Sequence, residues 1–194
     1  MLNLLVVVAS TRPTRVGDVV ASWLVGQAKA HGDFETTVAD LAVLDLPLMN
    51  EPAHPRLRTY VHDHTKEWSR TVERADAAVF VMPEYNSSFT APLKNAIDYL
   101  VQEWAYLPVG LFAYGGVNGG SRAVQALRPI LTNLSAVPTG SPVSVHHVTN
   151  HIEDGGFSPS AGVVANTPAM LAEIAELATA LAPLRAKALG RHVG

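Results

Sequence analysis

The chain contains no cysteine, which excludes disulfides, iron–sulfur clusters, thiolate zinc sites and cysteine nucleophiles. Charge is scarce as well. Only 16% of the 194 residues are Asp, Glu, Lys or Arg, and a net charge of -3 supplies no basic surface for nucleic acid. No apolar run is long enough to span a membrane, and the first one, Leu4-Leu5-Val6-Val7-Val8-Ala9, lacks the basic flank of a signal peptide. These absences predict a soluble, cytoplasmic protein with neither nucleic-acid nor membrane partners. Three motifs are missing too. Without a Gly-x-Ser-x-Gly elbow a hydrolase triad lacks its nucleophile signature. Without a Rossmann glycine pattern or a Walker loop, a tight dinucleotide or ATP site is disfavoured.

What is present points to one globular domain over residues 1–194, with 48% hydrophobic residues and length enough for a sizeable core. Residues 2–9 form an unalternating apolar run, which predicts a strand buried on both faces. A first helix is expected over residues 18–31, then a strand over 34–41 and a proline-marked loop over 44–55. Leu57, Val61, Trp68 and Val72 line one face of a long second helix. Residues 77–82 predict the third strand, 91–100 the third helix, 107–114 the fourth strand and 121–133 the fourth helix. Residues 142–148 supply a fifth strand and 149–166 a polar, glycine-containing excursion. Pro168 opens a last helix on Leu171, Ile174, Leu177, Ala178 and Leu181.

Strands alternating with helices imply one parallel sheet wrapped on both faces, in either a flavodoxin-like order 2-1-3-4-5 or a Rossmann-like one. The flavodoxin-like order brings three strand-to-helix loops to one switch point, where such sheets bind ligands. The first, Ser10-Thr11-Arg12-Pro13-Thr14-Arg15-Val16-Gly17, combines hydroxyls, two guanidinium groups and the free N–H groups of a helix start, which suits a phosphate. Its competing reading is a plain helix cap by Ser10, Thr14 or Asp18 beside solvated arginines. The second, Pro83-Glu84-Tyr85-Asn86-Ser87-Ser88, offers backbone amides and short polar side chains for a flat polar ring, or is an ordinary connection. The third, Tyr114-Gly115-Gly116 running to Gly119-Gly120, adds an aromatic group and glycines.

These motifs, with Leu93-Lys94-Asn95-Ala96-Ile97-Asp98 after the second, resemble the NAD(P)H-dependent FMN reductases over roughly residues 1–185. The family includes related quinone, azo and chromate reductases. The resemblance implies a five-stranded α/β three-layer sandwich and a bound FMN. Ser10, Arg12, Arg15, Val16 and Gly17 would contact its phosphate. Pro83, Glu84, Tyr85, Asn86, Tyr114, Gly115 and Gly116 would hold its ring system. This chain departs from a common form of the first loop, since Ala9 precedes Ser10 while Gly17 and Val19 take later polar places. NADPH or NADH would be a transient co-substrate, a small molecule the electron acceptor, and the assembly a homodimer or homotetramer.

No general acid or base is needed, because the cofactor carries the hydride chemistry. The alternative is a flavodoxin-type electron carrier without nicotinamide turnover, which Arg12 and Arg15 in the first loop disfavour. Other candidates are weaker. His146, His147 and His151 are expected to bind no metal, because neighbouring strand residues face opposite ways. His62 and His64 read as a solvated helix face, Glu84 as a carboxylate pointing to solvent, and Trp104 and Tyr106 as either packing or a subunit contact.

Overall fold

The computed structural model describes residues 1–190. β1 (Leu2–Val8) is an interior strand of the sheet, and its side chains alternate between two separate cores. Leu5, Val7 and Ala9 face one core, and Leu4, Val6 and Val8 face the other. β3 (Ala77–Pro83) and β4 (Pro108–Tyr114) are buried along their whole length, as unalternating apolar runs require. With β2 (Phe34–Asp40) and β5 (Val137–Pro138) they form a parallel sheet of order β2-β1-β3-β4-β5. The flavodoxin-like order is thus the observed one.

Helices close both faces. On one lie α3 (Asp63–Arg74), α4 (Ala91–Asp98) and α5 (Ser121–Asn133), which bury Trp68, Leu93, Ile97 and Leu127. On the other lie α1 (Gly17–His31) and α6 (Ala161–Ala188), which bury Leu24, Leu171 and Ile174. A short α2 (Leu41–Leu44) follows β2 directly. Trp104 is core packing, since it stacks edge-on against Trp68 and Phe80 and donates its indole N–H to the Ile97 carbonyl.

Three expectations need correcting. The second long helix starts at Asp63, so Leu57 and Val61 lie outside it and are exposed. The Glu51 carboxylate accepts the Val61 and His62 N–H groups, which ends any helical run through them. The fifth strand position is filled in two pieces, β5 and β6 (Val143–Val145), both paired with β4. Between them the Gly140 and Ser141 N–H groups turn aside to the Glu173 carboxylate of α6, while Pro138 and Pro142 have no N–H to offer. The last helix begins at Ala161, capped by Ser160, and carries Pro168 inside it. The excursion before it holds a small antiparallel pair, β7 (Ile152–Glu153) and β8 (Gly156–Phe157), whose Phe157 meets Trp23 of α1 edge-on.

The amino ends of β3 and β4 are locked by one buried cation. Arg185 donates to the carbonyls of Val72, Ala75, Glu103 and Ala105, so α6 is tied to the end of α3 and to the turn before β4. The opposite end, where the strands deliver their carboxyl termini, is left to loops.

Candidate functional site

All twelve predicted residues gather at that carboxyl end. Ser10 follows β1 and is buried. Gly17 opens α1 and sits against both Ser10 Oγ and the hydroxyl of Tyr114, the last residue of β4. The two hydroxyls lie side by side, yet neither makes a well-formed hydrogen bond. Arg15 Nε is likewise buried without an acceptor. No side chain caps α1, whose N-cap position is Val16. The helix-cap reading of Ser10, Thr14 and Asp18 is therefore excluded.

Those facts define the chemistry at the start of α1. An uncapped helix start presents free N–H groups and the positive end of its dipole. Two buried hydroxyls and the Nε of the Arg15 guanidinium add donors without a well-formed acceptor. Such a set fits a ligand that only accepts hydrogen bonds and carries negative charge, as a phosphate does. Burial pushes the Tyr114 phenol well above its ordinary pKa, against the opposing pull of the neighbouring Ser10 hydroxyl and the Arg15 charge, so it remains a donor.

Arg15 has a second engagement that its place in the sequence did not announce. Its NH2 group lies 2.6 Å from Asp40 Oδ2 at the end of β2, and the other Asp40 oxygen caps α2 through Ala42 N–H. Arg12 is exposed, with its guanidinium carbon 5.9 Å from the centre of the Tyr85 ring. The first loop is also tied to the second, because Thr90 donates its hydroxyl to the Ala9 carbonyl at 2.7 Å.

The second loop leaves β3 after Pro83, which sits opposite Tyr114 in the sheet register. Glu84 N–H donates to the Tyr114 carbonyl at 2.9 Å. Its side chain does not point freely to solvent. It accepts the Arg122 backbone N–H at 3.1 Å and so satisfies the start of α5, while the Arg122 guanidinium donates to Ser87 Oγ. Residues 85–88 form a tight turn with paired bonds between Tyr85 and Ser88, and with Asn86 and Ser87 at φ of 49° and 66°. Two successive left-handed residues, neither of them glycine, hold exposed peptide groups in a fixed attitude beside the Tyr85 ring.

The third loop spans residues 115–120. Gly115 N–H donates to the Val145 carbonyl, and the Gly115 and Gly116 carbonyls accept from Val148 and His147. Asp40, Arg122 and His146 shape the site and were not predicted. Each acts through a partner distant in sequence, for which no local motif exists. Among the described residues no group of three or more His, Asp or Glu side chains could hold a metal. His62 and His64 are not a plain solvated face: their rings stack at 5.1 Å and their Nε2 atoms meet the two oxygens of Asn50.

The sheet order, with three loops gathered at its carboxyl end, defines the flavodoxin-like class of α/β proteins. Within that class, residues 2–150 match the family described as NADPH-dependent FMN reductase, and the chain belongs to it. The NAD(P)H-dependent FMN reductase of Schizosaccharomyces pombe is 36% identical over 125 residues, covering 63% of this chain and 62% of the relative. The chain thus spans less than two thirds of that relative's length. The NADPH azoreductase of a Bacillus species is 33% identical over 159 residues, 80% of this chain and 83% of the relative. Among solved structures, the flavoenzyme NAD(P)H:(acceptor) oxidoreductase FerB of Paracoccus denitrificans superposes with a TM-score of 0.73 at 19% identity. That match covers 93% of this chain and 98% of the other, and it shows the fold.

Proposed function

We propose that this chain is an FMN-dependent reductase that takes hydride from NADPH or NADH and passes electrons to a small acceptor such as a free flavin, a quinone or an azo compound. One observation carries the reading: the adjoining buried hydroxyls of Ser10 and Tyr114, with no well-formed bond to the rest of the chain, and the unpaired Arg15 Nε, beside the uncapped start of α1. They fit the phosphate of FMN. When bound, FMN supplies reversible hydride and electron transfer through its ring. The chain's own residues bind and orient. Ser10, Arg15, Tyr114 and the amides from Val16 and Gly17 hold the phosphate, with Arg12 at its edge. The peptide groups of Pro83, Glu84, Tyr85 and Asn86 and those of Gly115 and Gly116 meet the polar rim of the ring. The fixed turn at residues 85–88 would help to orient the ring, and a nicotinamide co-substrate would reach it transiently.

The same reading takes residues 1–194 as one domain, since both helical layers pack on a single sheet. It places the protein in the cytoplasm, acting on small molecules without a nucleic-acid or membrane partner. Among the described residues no helix is long and apolar enough to cross a membrane. A homodimer or homotetramer is supported by exposed Leu48 and Leu57 beside α4, and by a groove in which Met49 and Leu57 meet Ile97, Leu100 and Leu134.

The test is an absorption spectrum of the purified protein with FMN, followed by NADPH without air. Flavin bands that remain with the protein on gel filtration and then bleach are the expected result. A flavin that stays oxidised under both NADPH and NADH would overturn the reductase, and a protein that retains no FMN would overturn the site.

A further inference from the structure

One exposed side chain outside the twelve braces the third loop. The backbone of residues 145–148 runs beside the third loop and is bonded to it three times. Gly115 N–H donates to Val145 O at 3.1 Å, His147 N–H to Gly116 O at 2.9 Å, and Val148 N–H to Gly115 O at 3.0 Å. These bonds set His146 across the loop from Val117. Its Nδ1 lies 2.7 Å from the Val117 carbonyl oxygen. A carbonyl only accepts, so Nδ1 bears the hydrogen and donates it.

The same imidazole covers Gly119. A Cβ at that residue would come within 2.9 Å of the ring, and the Gly119 φ of +58° is one that side chains rarely adopt. The ring therefore fixes the loop at two places, by a hydrogen bond at Val117 and by contact at Gly119. On the other flank the loop rests on Glu84, whose Cβ lies 3.4 Å from where a Gly115 Cβ would stand. Glu84 in turn satisfies the start of α5. Between these two supports the residue 115–120 segment has little freedom.

We infer that His146 is a positioning residue for the flavin site: by holding the Val117 carbonyl it keeps the 115–120 loop in the shape that receives the flavin ring, and so it sets FMN affinity. The inference rests on the flavin-site reading above. It needs only the Nδ1–H donor, which asparagine presents from nearly the same point through its amide nitrogen. Glutamine places its amide nearer the position of Nε2 and cannot substitute.

Apoprotein titrated with FMN, followed by flavin fluorescence, tests it, with a thermal melt of each apoprotein alongside. His146→Ala is expected to weaken FMN binding about three- to tenfold, the effect of one positioning hydrogen bond. His146→Asn is expected to restore affinity to within about twofold and His146→Gln to remain as weak as the alanine variant. Unchanged affinity in His146→Ala overturns the inference. So does an asparagine variant no better than glutamine, or affinity that merely follows apoprotein melting across the set. Should the alanine variant fail to fold, the asparagine–glutamine difference still decides. Wild-type protein that binds no FMN removes the flavin-site reading as well, whereas normal wild-type binding with an indifferent His146 removes this inference alone.

Discussion

A Cβ on Gly17 would stand 2.6 Å from the Tyr114 hydroxyl oxygen, so the first residue of α1 closes directly onto the last residue of β4. Ser10 Oγ crowds the same point. Gly17→Ala is therefore expected to displace both hydroxyls, destabilise the protein by about 1–3 kcal/mol through overpacking, and weaken FMN binding at least about tenfold. Calorimetric titration checks this. Normal FMN affinity would remove both hydroxyls from the phosphate site.

Tyr114→Phe separates binding from stability. The buried hydroxyl has no well-formed partner within the chain, so its removal is expected to leave apoprotein stability unchanged or to raise it by up to about 1–3 kcal/mol. FMN binding is expected to weaken at the same time. Denaturant unfolding and fluorescence titration measure the two. A marked loss of apoprotein stability would assign the hydroxyl to the fold instead.

Alkaline pH should unfold the protein through its buried phenols. Burial raises the pKa of Tyr60, as does the Glu103 carboxylate that accepts its hydrogen bond at 2.9 Å, and burial raises that of Tyr114. Below the ordinary phenol value of about 10 both states keep the proton and the contribution is complete. Above it the unfolded chain loses protons that the folded chain retains, so stability falls as pH rises. The double substitution Tyr60→Phe, Tyr114→Phe is expected to flatten that decline. A slope unchanged in denaturant melts across this range would assign the decline to other groups.

The Arg15–Asp40 pair ties the first loop to the end of β2. Both side chains are about four-fifths buried, at 20% and 19% exposure, and they meet at 2.6 Å. Arg15→Ala and Asp40→Ala are each expected to cost about 1–3 kcal/mol, with a coupling of about 1 kcal/mol in a double-mutant cycle. FMN affinity should fall in both, since Asp40 holds the guanidinium in place. Additive stability changes would show that the pair contributes nothing beyond its separate contacts.

Much of this was legible in the chain because the relevant signals are local. Runs such as Ala77–Pro83 carry no alternation, and only a strand covered on both faces tolerates that. The loop motifs follow such strands directly, so their gathering at one sheet end follows from topology. The failures share a cause in long-range partners. Val61 fits a helical stripe, but Glu51, ten residues earlier, captures its N–H. Pro168 looked like a helix start, yet Ser160 starts the helix earlier and the proline is carried within. The break in the fifth strand depends on Glu173, more than thirty positions from the amides it accepts. Asp40 and His146 likewise touch the site only through the folded chain.

If Ser10, Arg15 and Tyr114 hold the FMN phosphate as proposed, the ligand becomes a part of the fold's own cohesion. A chain that meets FMN at about a hundred times its Kd gains about 2.7 kcal/mol over the empty one, and about 4.1 at a thousand times. Turnover by proteases samples the opened chain, so the lifetime of this protein should follow flavin supply. Scarce FMN would then lower the amount of the protein itself, before any limit on the molecules that remain.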